Sequence, residues 1–471
     1  MTRPGLLQSA RRLAPLAWPV FVGQLAVLAF STVDTVMAAR ASALDLAALA
    51  VGASVYISVF IGFMGVVMAV GPIAGQLFGA GKLRESGHEA EQAAWLALIL
   101  CIPGCALLVF PEPFLALARA EPAVAAKVRD YLSALAFALP AALLFTAFRG
   151  FNIAVSRPKA VMALQLCALA LKVPLNALLV FGATLAVPGG GTWQLPAFGA
   201  AGCGLATAIV MWLQLGAAWV LLRHDRFYVA FGLGRRPGPP RRDSLAALLR
   251  LGVPMGVSIL VEVTGFTFMA LFISRIGATV VAGHQIAVNM ISLMFMLPLA
   301  IANATSTVVA QRLGAGDALD ARHVARAGLE LGVLIAAALG GSVYLLRTEV
   351  VGLYTANPVI VAAAVPLLAW VALFHIADAA QTISAFVLRA YRITVVPMIV
   401  YVLAIWVLGL GGGYVVAFDL AGISPPGLRG AQGFWAMATL GVAVAALGLA
   451  GFLARKLRQE RALLKPAPAA R

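Results

Sequence analysis

The stretch from Leu251 to Gly316 decides the fold: LGVPMGVSILVEVTGFTFMALFISRIGATVVAGHQIAVNMISLMFMLPLAIANATSTVVAQRLGAG. It contains two apolar runs, and each is long enough to cross a lipid bilayer. One carboxylate, Glu262, lies in the middle of the first run. A charged side chain at that depth costs roughly 3 kcal/mol on insertion scales, so we expect Glu262 to be functional or paired.

The same stretch has an earlier copy 235 positions before it, at Leu16 to Gly81, and the two align without a gap. Of the 66 paired positions, 14 are identical. The paired landmarks are Pro19 and Pro254, Arg40 and Arg275, Gln76 and Gln311, and the Gly-Ala-Gly triplets at 79–81 and 314–316. The ungapped register and the matched landmarks predict an internally duplicated membrane protein.

Composition agrees with a protein that lies mostly in the bilayer. The 471 residues are 62% hydrophobic and 11% charged, and the mean hydropathy is +0.97, which is outside the range of soluble globular domains. Apolar runs recur along the whole chain and predict an all-α membrane protein with twelve transmembrane helices. The predicted spans are 14–38, 46–72, 92–110, 130–151, 161–183, 199–222, 248–273, 281–307, 325–346, 363–388, 394–418 and 431–454.

The net charge of +16 is explained by membrane orientation. The basic residues lie in short loops between apolar runs, and no basic soluble region is present that could bind nucleic acid. With the N-terminus inside, the outer loops hold only seven of the 34 Lys and Arg residues, as the positive-inside rule requires. We therefore expect a multi-pass protein of the bacterial inner membrane with both termini in the cytoplasm.

The spans divide the chain into four regions. We predict an N-terminal lobe at 1–222, a cytoplasmic linker at 223–247, a C-terminal lobe at 248–454 and a basic cytoplasmic tail at 455–471. The linker is assigned from its basic, Gly- and Pro-rich composition.

Motifs that would indicate an enzyme are missing from the sequence. The segment HEAEQ at 88–92 has Gln92 where a zinc metalloprotease needs its second His. No GxxxxGK[ST] phosphate loop is present, which argues against ATP as the energy source. All four Cys residues lie in or beside apolar spans, so we expect free thiols and no disulfide. We expect no cofactor and no firm metal site.

The candidate functional residues are polar side chains inside the spans: Asp34, Lys172, Asn176, Glu262, His284, Gln285, Asn289, Asn303, His375, Asp378 and Gln381. For the isolated Asn and His residues we favour hydrogen bonds between helices. For the three carboxylates we favour a cation site, because ionisable residues in spans usually mark ion or substrate pathways. Asp34 and Glu262 do not occupy equivalent positions in the duplication, which suggests two lobes with different roles.

The chain resembles the multidrug and toxic compound extrusion (MATE) family, and within it the NorM-type branch. The resemblance rests on fragments in a fixed order: LAWPVFVGQ (16–24), VDTVMAA (33–39), AGQLFGAG (74–81), LGVPMGVSILVEVT (251–264), VVAGHQIAVN (280–289), VVAQRLGAG (308–316) and DAAQTISAFVLRAY (378–391). It implies two six-helix lobes related by a pseudo-two-fold axis along the membrane normal, with a central cavity that opens alternately to each side. It also implies export of small organic cations in exchange for Na⁺ or H⁺.

The resemblance assigns roles to four residues. Glu262 and Asp378 match the C-lobe cation site, Asp34 matches the anchor of an N-lobe site, and Gln285 lies in a motif placed near the C-lobe site. Na⁺ at Glu262 and Asp378 therefore stays possible. Lys172, Asn176, His284, Asn289, His375 and Gln381 are secondary candidates.

Two departures from the family pattern favour H⁺ over Na⁺. NorM-type members usually have Asn where this chain has Lys172, and often have Tyr where it has Phe374. Each change removes a neutral oxygen ligand, and hard cations need several oxygens. We predict that the Lys172 ammonium pairs with Asp34 as a built-in cation and leaves coupling to the C-lobe acids.

Two alternative functions and the oligomeric state remain to be considered. A lipid-linked-precursor flippase of the same superfamily would need several basic residues in its cavity, and the spans offer mainly Lys172. An intramembrane enzyme could use the same acids, but no catalytic motif supports one. We expect the protein to act as a monomer.

Overall fold

The computed structural model describes residues 6–118, 121–187, 191–233 and 238–463. Within these ranges twelve helical segments are long and apolar enough to cross a membrane, which confirms the predicted spans. Ten spans are single helices: α1 (Leu6–Ala41), α4 (Leu83–Val109), α6 (Pro122–Ala154), α7 (Pro158–Phe181), α8 (Ala200–His224), α9 (Arg242–Ser274), α10 (Ala278–Gly314), α11 (Ala318–Leu345), α13 (Pro358–Ala390) and α16 (Ala431–Leu463).

The remaining two spans are interrupted. The second span consists of α2 (Ala43–Val67) and α3 (Val70–Gly79), and the eleventh consists of α14 (Val395–Tyr401), a π-helical segment (Val402–Gly411) and α15 (Gly412–Ala417). Short helices α5 (Glu112–Ala118) and α12 (Arg347–Tyr354) lie in loops. A π-helix is wider than an α-helix and often marks a functional position.

The chain forms two compact units. One comprises Met1–Phe21, Gly79–Gly81 and Val257–Arg471, and the other comprises Val22–Phe78 and Lys82–Gly256. The short segment Gly79–Gly81 thus belongs to the first unit, and the boundaries between the long segments fall inside α1 and α9, 235 positions apart. Each boundary follows the matched prolines Pro19 and Pro254 by two residues.

In the unit that contains the N-terminal spans, α6 is the central helix. It packs against α2, α4 and α8, and Leu139, Leu143 and Phe151 on it are almost fully buried. Gly204 on α8 permits the close approach, because a Cβ there would lie 2.9 Å from the carbonyl oxygen of Tyr131 on α6. Small residues at helix contacts are the usual way in which membrane helices pack closely.

In the other unit, α13 has the corresponding position and packs against α10, α11 and α16. Phe434 and Trp435 on α16 and Leu368 on α13 are completely buried. Gly283 on α10 lies against the backbone of α13, with Ala364 N 3.1 Å from the place of a Cβ. This central helix also holds His375, Asp378 and Gln381, so packing fixes the orientation of the candidate residues.

The structure adds a β-hairpin that the sequence analysis did not predict. Strands β1 (Ala183–Val187) and β2 (Gly191–Leu195) pair antiparallel between α7 and α8. The glycines at 189–191 flanked by apolar residues were a signal for it.

The described parts of the predicted linker at 223–247 contain secondary structure. Helix α8 ends at His224, a 3₁₀-helix spans Arg226–Phe231, and α9 begins at Arg242. Asp225 caps the 3₁₀-helix by accepting a hydrogen bond from Phe227 N at 2.9 Å. That backbone bond, together with the ion pair to Arg157, lowers the pKa of the Asp225 carboxyl.

The second part of this linker docks on α4. Trp95 Nε1 donates to the carbonyl of Gly238 at 2.9 Å. Gln92 donates to the carbonyl of Pro239 at 3.1 Å and accepts from Arg241 N at 2.7 Å. Gln92 is the residue that replaces the second His of a zinc motif, and the structure gives it this structural role.

Candidate cation-coupling site

The Asp34 carboxylate lies in a buried polar cluster between α1, α7 and α8. Lys172 Nζ on α7 lies 2.8 Å from Asp34 Oδ2 and donates at 2.8 Å to Thr207 Oγ1 on α8. Asn176 Nδ2, one helical turn after Lys172, donates to Asp34 Oδ1 at 2.7 Å. The Lys172 ammonium also lies 4.8 Å from the ring centroid of Phe30, a cation–π distance.

The predicted ion pair between Lys172 and Asp34 is therefore confirmed. Lys172 is 1% exposed and Asp34 is 8% exposed, so neither charge is compensated by bulk water. Both carboxylate oxygens have a partner within 2.8 Å. Because such a pair offsets most of its own desolvation cost, it adds little net stability, but loss of one partner would leave a buried charge.

The half-buried Glu262 lines a small, partly open cavity within the unit that contains the C-terminal spans. The volume open to the centre of a water molecule is about 30 Å³, which is room for about two waters. The lining residues come from α9, α13, the π-helical segment and α16: Glu262, Gly265, Phe266, Met269, Phe374, Gln381, Ile405, Gly409, Leu410, Ala438 and Val442. Drug-sized ligand sites are typically at least ten times larger, so the cavity fits a proton, a water or an ion.

Asp378 lies next to this cavity but does not line it. The side chain is 3% exposed, and its Oδ1 accepts a hydrogen bond from Gln381 Nε2 at 2.9 Å. Gln381 does line the cavity. Glu262 lines the cavity directly, and Asp378 is joined to it by the hydrogen bond from Gln381 and by its electrostatic interaction with Glu262.

Phe374 places an aromatic ring where family members often have Tyr. The ring lines the cavity and packs against Phe266 and Trp435, with ring centroids 5.7 and 6.0 Å apart. The hydroxyl that this chain lacks would therefore have belonged to the lining. Among the lining side chains only Glu262 and Gln381 carry oxygen atoms.

The other candidates on α10 lie outside this cavity. His284 is fully buried and its Nδ1 accepts from Trp435 Nε1 at 3.2 Å, which confirms a hydrogen bond between helices. Asn289 is exposed and accepts from Tyr354 Oη at 2.8 Å. Asn303 donates to the carbonyl of Leu299 at 2.8 Å, within its own helix.

Gln285 and His375 differ from expectation. Gln285 is exposed and is not among the side chains that line the Glu262 cavity, so its place near the C-lobe acids stays a prediction. His375 is completely buried, and neither ring nitrogen has a hydrogen-bond partner among the described residues. Side-chain spacing put His375, Asp378 and Gln381 on one helix face, but Gln381 alone of the three lines the cavity.

Sequence reasoning missed two arginines near helix ends. Arg149 on α6 is half-buried, and its Nη2 lies 3.5 Å from Met64 Sδ. Arg389 on α13 is 7% exposed and stacks on Phe386, with its guanidinium carbon 4.2 Å from the ring centroid. Arg149 lies inside the predicted span 130–151, and a charged residue within a span was the signal that could have identified it.

Comparison with known families agrees with the duplication. The model of the family described as MatE matches this chain twice, at residues 19–178 and 254–415. The two matches begin 254 − 19 = 235 positions apart, the same shift that aligns the halves of the sequence. The chain belongs to the MatE family. It is a multi-pass membrane transporter and not an enzyme.

Several relatives resemble this MATE transporter over almost its full length. The probable multidrug resistance protein NorM of Aromatoleum aromaticum is 41% identical over 448 residues, covering 95% of this chain and 94% of the relative. The multidrug resistance protein NorM of Vibrio cholerae is 35% identical over 442 residues, covering 94% of each chain.

Solved structures share the fold at lower sequence identity. The crystal structure of the Vibrio cholerae MATE transporter VcmN in the bent form has a TM-score of 0.83 at 17% identity and covers 98% of this chain and 99% of that chain. The crystal structure of the eukaryotic MATE transporter AtDTX14 has a TM-score of 0.82 at 19% identity, with 97% and 100% covered.

Proposed function

We propose that this MATE transporter is an H⁺-coupled antiporter that exports cationic, amphiphilic compounds by alternating access. It acts as a monomer in the bacterial inner membrane, with both termini in the cytoplasm. The proposal for the cargo is supported by relatives that are named multidrug resistance proteins and match 94% or more of this chain. The proposal for the membrane orientation is supported by the low number of basic residues in the outer loops.

The coupling group in this proposal is Glu262, with Asp378 and Gln381 beside it. The observation that carries it is the Glu262 cavity, which has room for about two waters and has Gln381 as its only other oxygen-bearing lining side chain. An ionised carboxylate in an apolar cavity is costly unless a cation compensates it or a proton neutralises it. One carboxylate is enough to bind a proton, whereas Na⁺ needs several oxygens, as related oxygen-liganded cations do.

Asp34 is not the coupling group in this proposal. Lys172 supplies the compensating charge at 2.8 Å, and Asn176 occupies the other carboxylate oxygen. With both oxygens occupied from within the chain, an external ion would have to displace the ammonium. We therefore assign Asp34 a fixed structural role and assign coupling to Glu262 and Asp378.

Exchange follows from the different affinities of two conformations. The Glu262 cavity in this structure is too small for a drug-sized cation, so proton and cargo compete through the conformational equilibrium. Protonation of Glu262 favours one conformation and cargo binding favours the other. Each ligand shifts the populations only as far as its affinities for the two conformations differ.

Transport by purified protein in liposomes tests the coupling ion. A fluorescent cation is loaded, and efflux is followed under a pH gradient at equal Na⁺ on both sides, then under a Na⁺ gradient at equal pH. We expect efflux to follow the pH gradient and to be lost in Glu262→Gln. Efflux that follows the Na⁺ gradient and ignores the pH gradient would overturn the choice of ion.

A further inference from the structure

A second, larger groove lies in the same unit, away from the coupling cavity. It has a volume of about 730 Å³ and runs between α11 and α13, with the starts of α12 and α16 at one end. Its floor is formed where the two helices pack closely, because a Cβ at Gly340 would lie 2.8 Å from the carbonyl oxygen of Ala372. Gly341 and Ala337 add no bulk above this contact, so the groove stays open.

The groove has the length of one bilayer leaflet. Its lining on α13 extends over the twelve residues from Val365 to Ile376, whose eleven helical steps of 1.5 Å cover about 16 Å. Half of a hydrocarbon core of about 30 Å is about 15 Å. Leu373 on its wall is 57% exposed, as expected for an apolar side chain that faces lipid. An acyl chain therefore fits the groove in length and in polarity.

One end of the groove is cationic and aromatic. Arg347 follows the last residue of α11 by two positions, and its guanidinium lies 4.5 Å from the ring centroid of Tyr344. Its Nη1 donates to the carbonyl of Tyr344 at 2.6 Å, and no ion pair involves Arg347 among the residues that the structure describes. A guanidinium has five N–H donors, so most of them remain for another acceptor. Tyr residues at helix ends are typical of the membrane interface.

We propose that this groove binds one anionic phospholipid of the outer leaflet. An acyl chain lies over Gly341, and the headgroup phosphate accepts hydrogen bonds from Arg347, which the proposed topology places at the outer surface. Guanidinium groups bind phosphate in two-point geometry and are favoured for that ligand. The site is separate from the coupling cavity and does not depend on the identity of the coupling ion.

Lipid binding to the delipidated full-length protein tests the proposal. The protein in detergent is titrated with phosphatidylglycerol or phosphatidylcholine, and bound lipid is counted by native mass spectrometry. We expect one phosphatidylglycerol to bind preferentially. Arg347→Gln should weaken that binding about tenfold, as for loss of a charge-assisted hydrogen bond, and leave phosphatidylcholine binding unchanged.

A groove-filling variant and two matched controls distinguish the contribution of the groove from that of the Arg347 charge. Gly341→Leu should displace both lipids, because the position has open space for a side chain that would fill the groove. The matched controls are Arg275→Gln, which removes another outer-loop arginine, and Gly451→Leu, which adds Leu at a second open glycine. Both controls should bind lipid as the parent does.

Three results would overturn the proposal. One is equal binding of the two lipids by the parent protein. Another is parental phosphatidylglycerol binding in Arg347→Gln. A third is parental lipid binding in Gly341→Leu, in which the added side chain fills the groove. The melting temperature of each variant is measured in detergent, so that reduced lipid binding is distinguished from misfolding.

Discussion

Replacing Lys172 with Asn removes the buried cation that neutralises Asp34. The variant loses the 2.8 Å contact with Asp34, the 2.8 Å hydrogen bond to Thr207 and the cation–π contact with Phe30. Breaking a buried ion pair by removing one partner costs about 3–5 kcal/mol, because the remaining charge is uncompensated. With a melting entropy of about 2.1 cal/mol/K per residue, 1 kcal/mol shifts the melting temperature of a 471-residue chain by about 1 °C, so we expect a fall of about 3–5 °C.

The variant also tests the idea of a built-in cation. If Lys172 stands in for an external ion, Na⁺ should stabilise Lys172→Asn and not the parent, since a ligand that binds only the folded state raises its stability. The assay is thermal unfolding in detergent in NaCl compared with choline chloride at fixed ionic strength, followed by transport under a Na⁺ gradient. We expect a melting temperature and an efflux rate that both depend on Na⁺.

A control and a double variant make this test specific. Lys159→Asn removes an exposed lysine from the same helix and should change neither property. Asp34→Asn combined with Lys172→Met removes both charges and should recover part of the lost stability, which a double-mutant cycle measures. If Lys172→Asn melts at the parental temperature and shows no Na⁺ response, the argument that Lys172 replaces an external cation is refuted.

Three other predictions address the acids, the cavity and the linker. Glu262→Gln and Asp378→Asn should each abolish gradient-driven efflux while membrane expression stays normal; parental efflux rates in either variant would remove that residue from the mechanism. Phe374→Tyr adds an oxygen to the lining of the Glu262 cavity, so Na⁺ should newly stabilise this variant against thermal unfolding, and an unchanged melting temperature in Na⁺ would argue against the oxygen-count explanation. The Asp225 carboxyl has a lowered pKa in the folded protein, so its stabilising contribution is present above about pH 4 and is lost as the pH falls further. The melting temperatures of the parent and Asp225→Asn should therefore differ most at pH 7, and the difference should shrink as the pH falls below about 4; a difference that does not shrink on acidification would contradict this origin.

Sequence alone determined the spans, the duplication and one side-chain contact. Hydrophobic runs are local properties of the chain, so the twelve spans follow from the cost of placing polar backbone and side chains in lipid. The 235-residue shift is a property of the sequence and coincides with the two family matches. The pairing of Lys172 with Asp34 could be predicted because two opposite charges inside the same half each require compensation.

Helix packing determines which side chains line the coupling cavity. Spacing along α13 places His375, Asp378 and Gln381 on one face, but it does not say which of them points toward α9 and α16. The rotation of α13 is fixed by its contacts with α10, α11 and α16, and the result is that Gln381 both lines the cavity and donates a hydrogen bond to Asp378. Gln285 is exposed for the same kind of reason.

The interrupted eleventh span and the unit boundaries also required the tertiary structure. Residues 402–411 are as apolar as any other span, so nothing in their hydropathy indicates a π-helix. That backbone lies against α16, where a Cβ at Gly441 would lie 2.3 Å from the carbonyl oxygen of Ala404. The unit boundaries inside α1 and α9 depend on which helices touch along their lengths, and contacts between residues far apart in sequence cannot be obtained from local patterns.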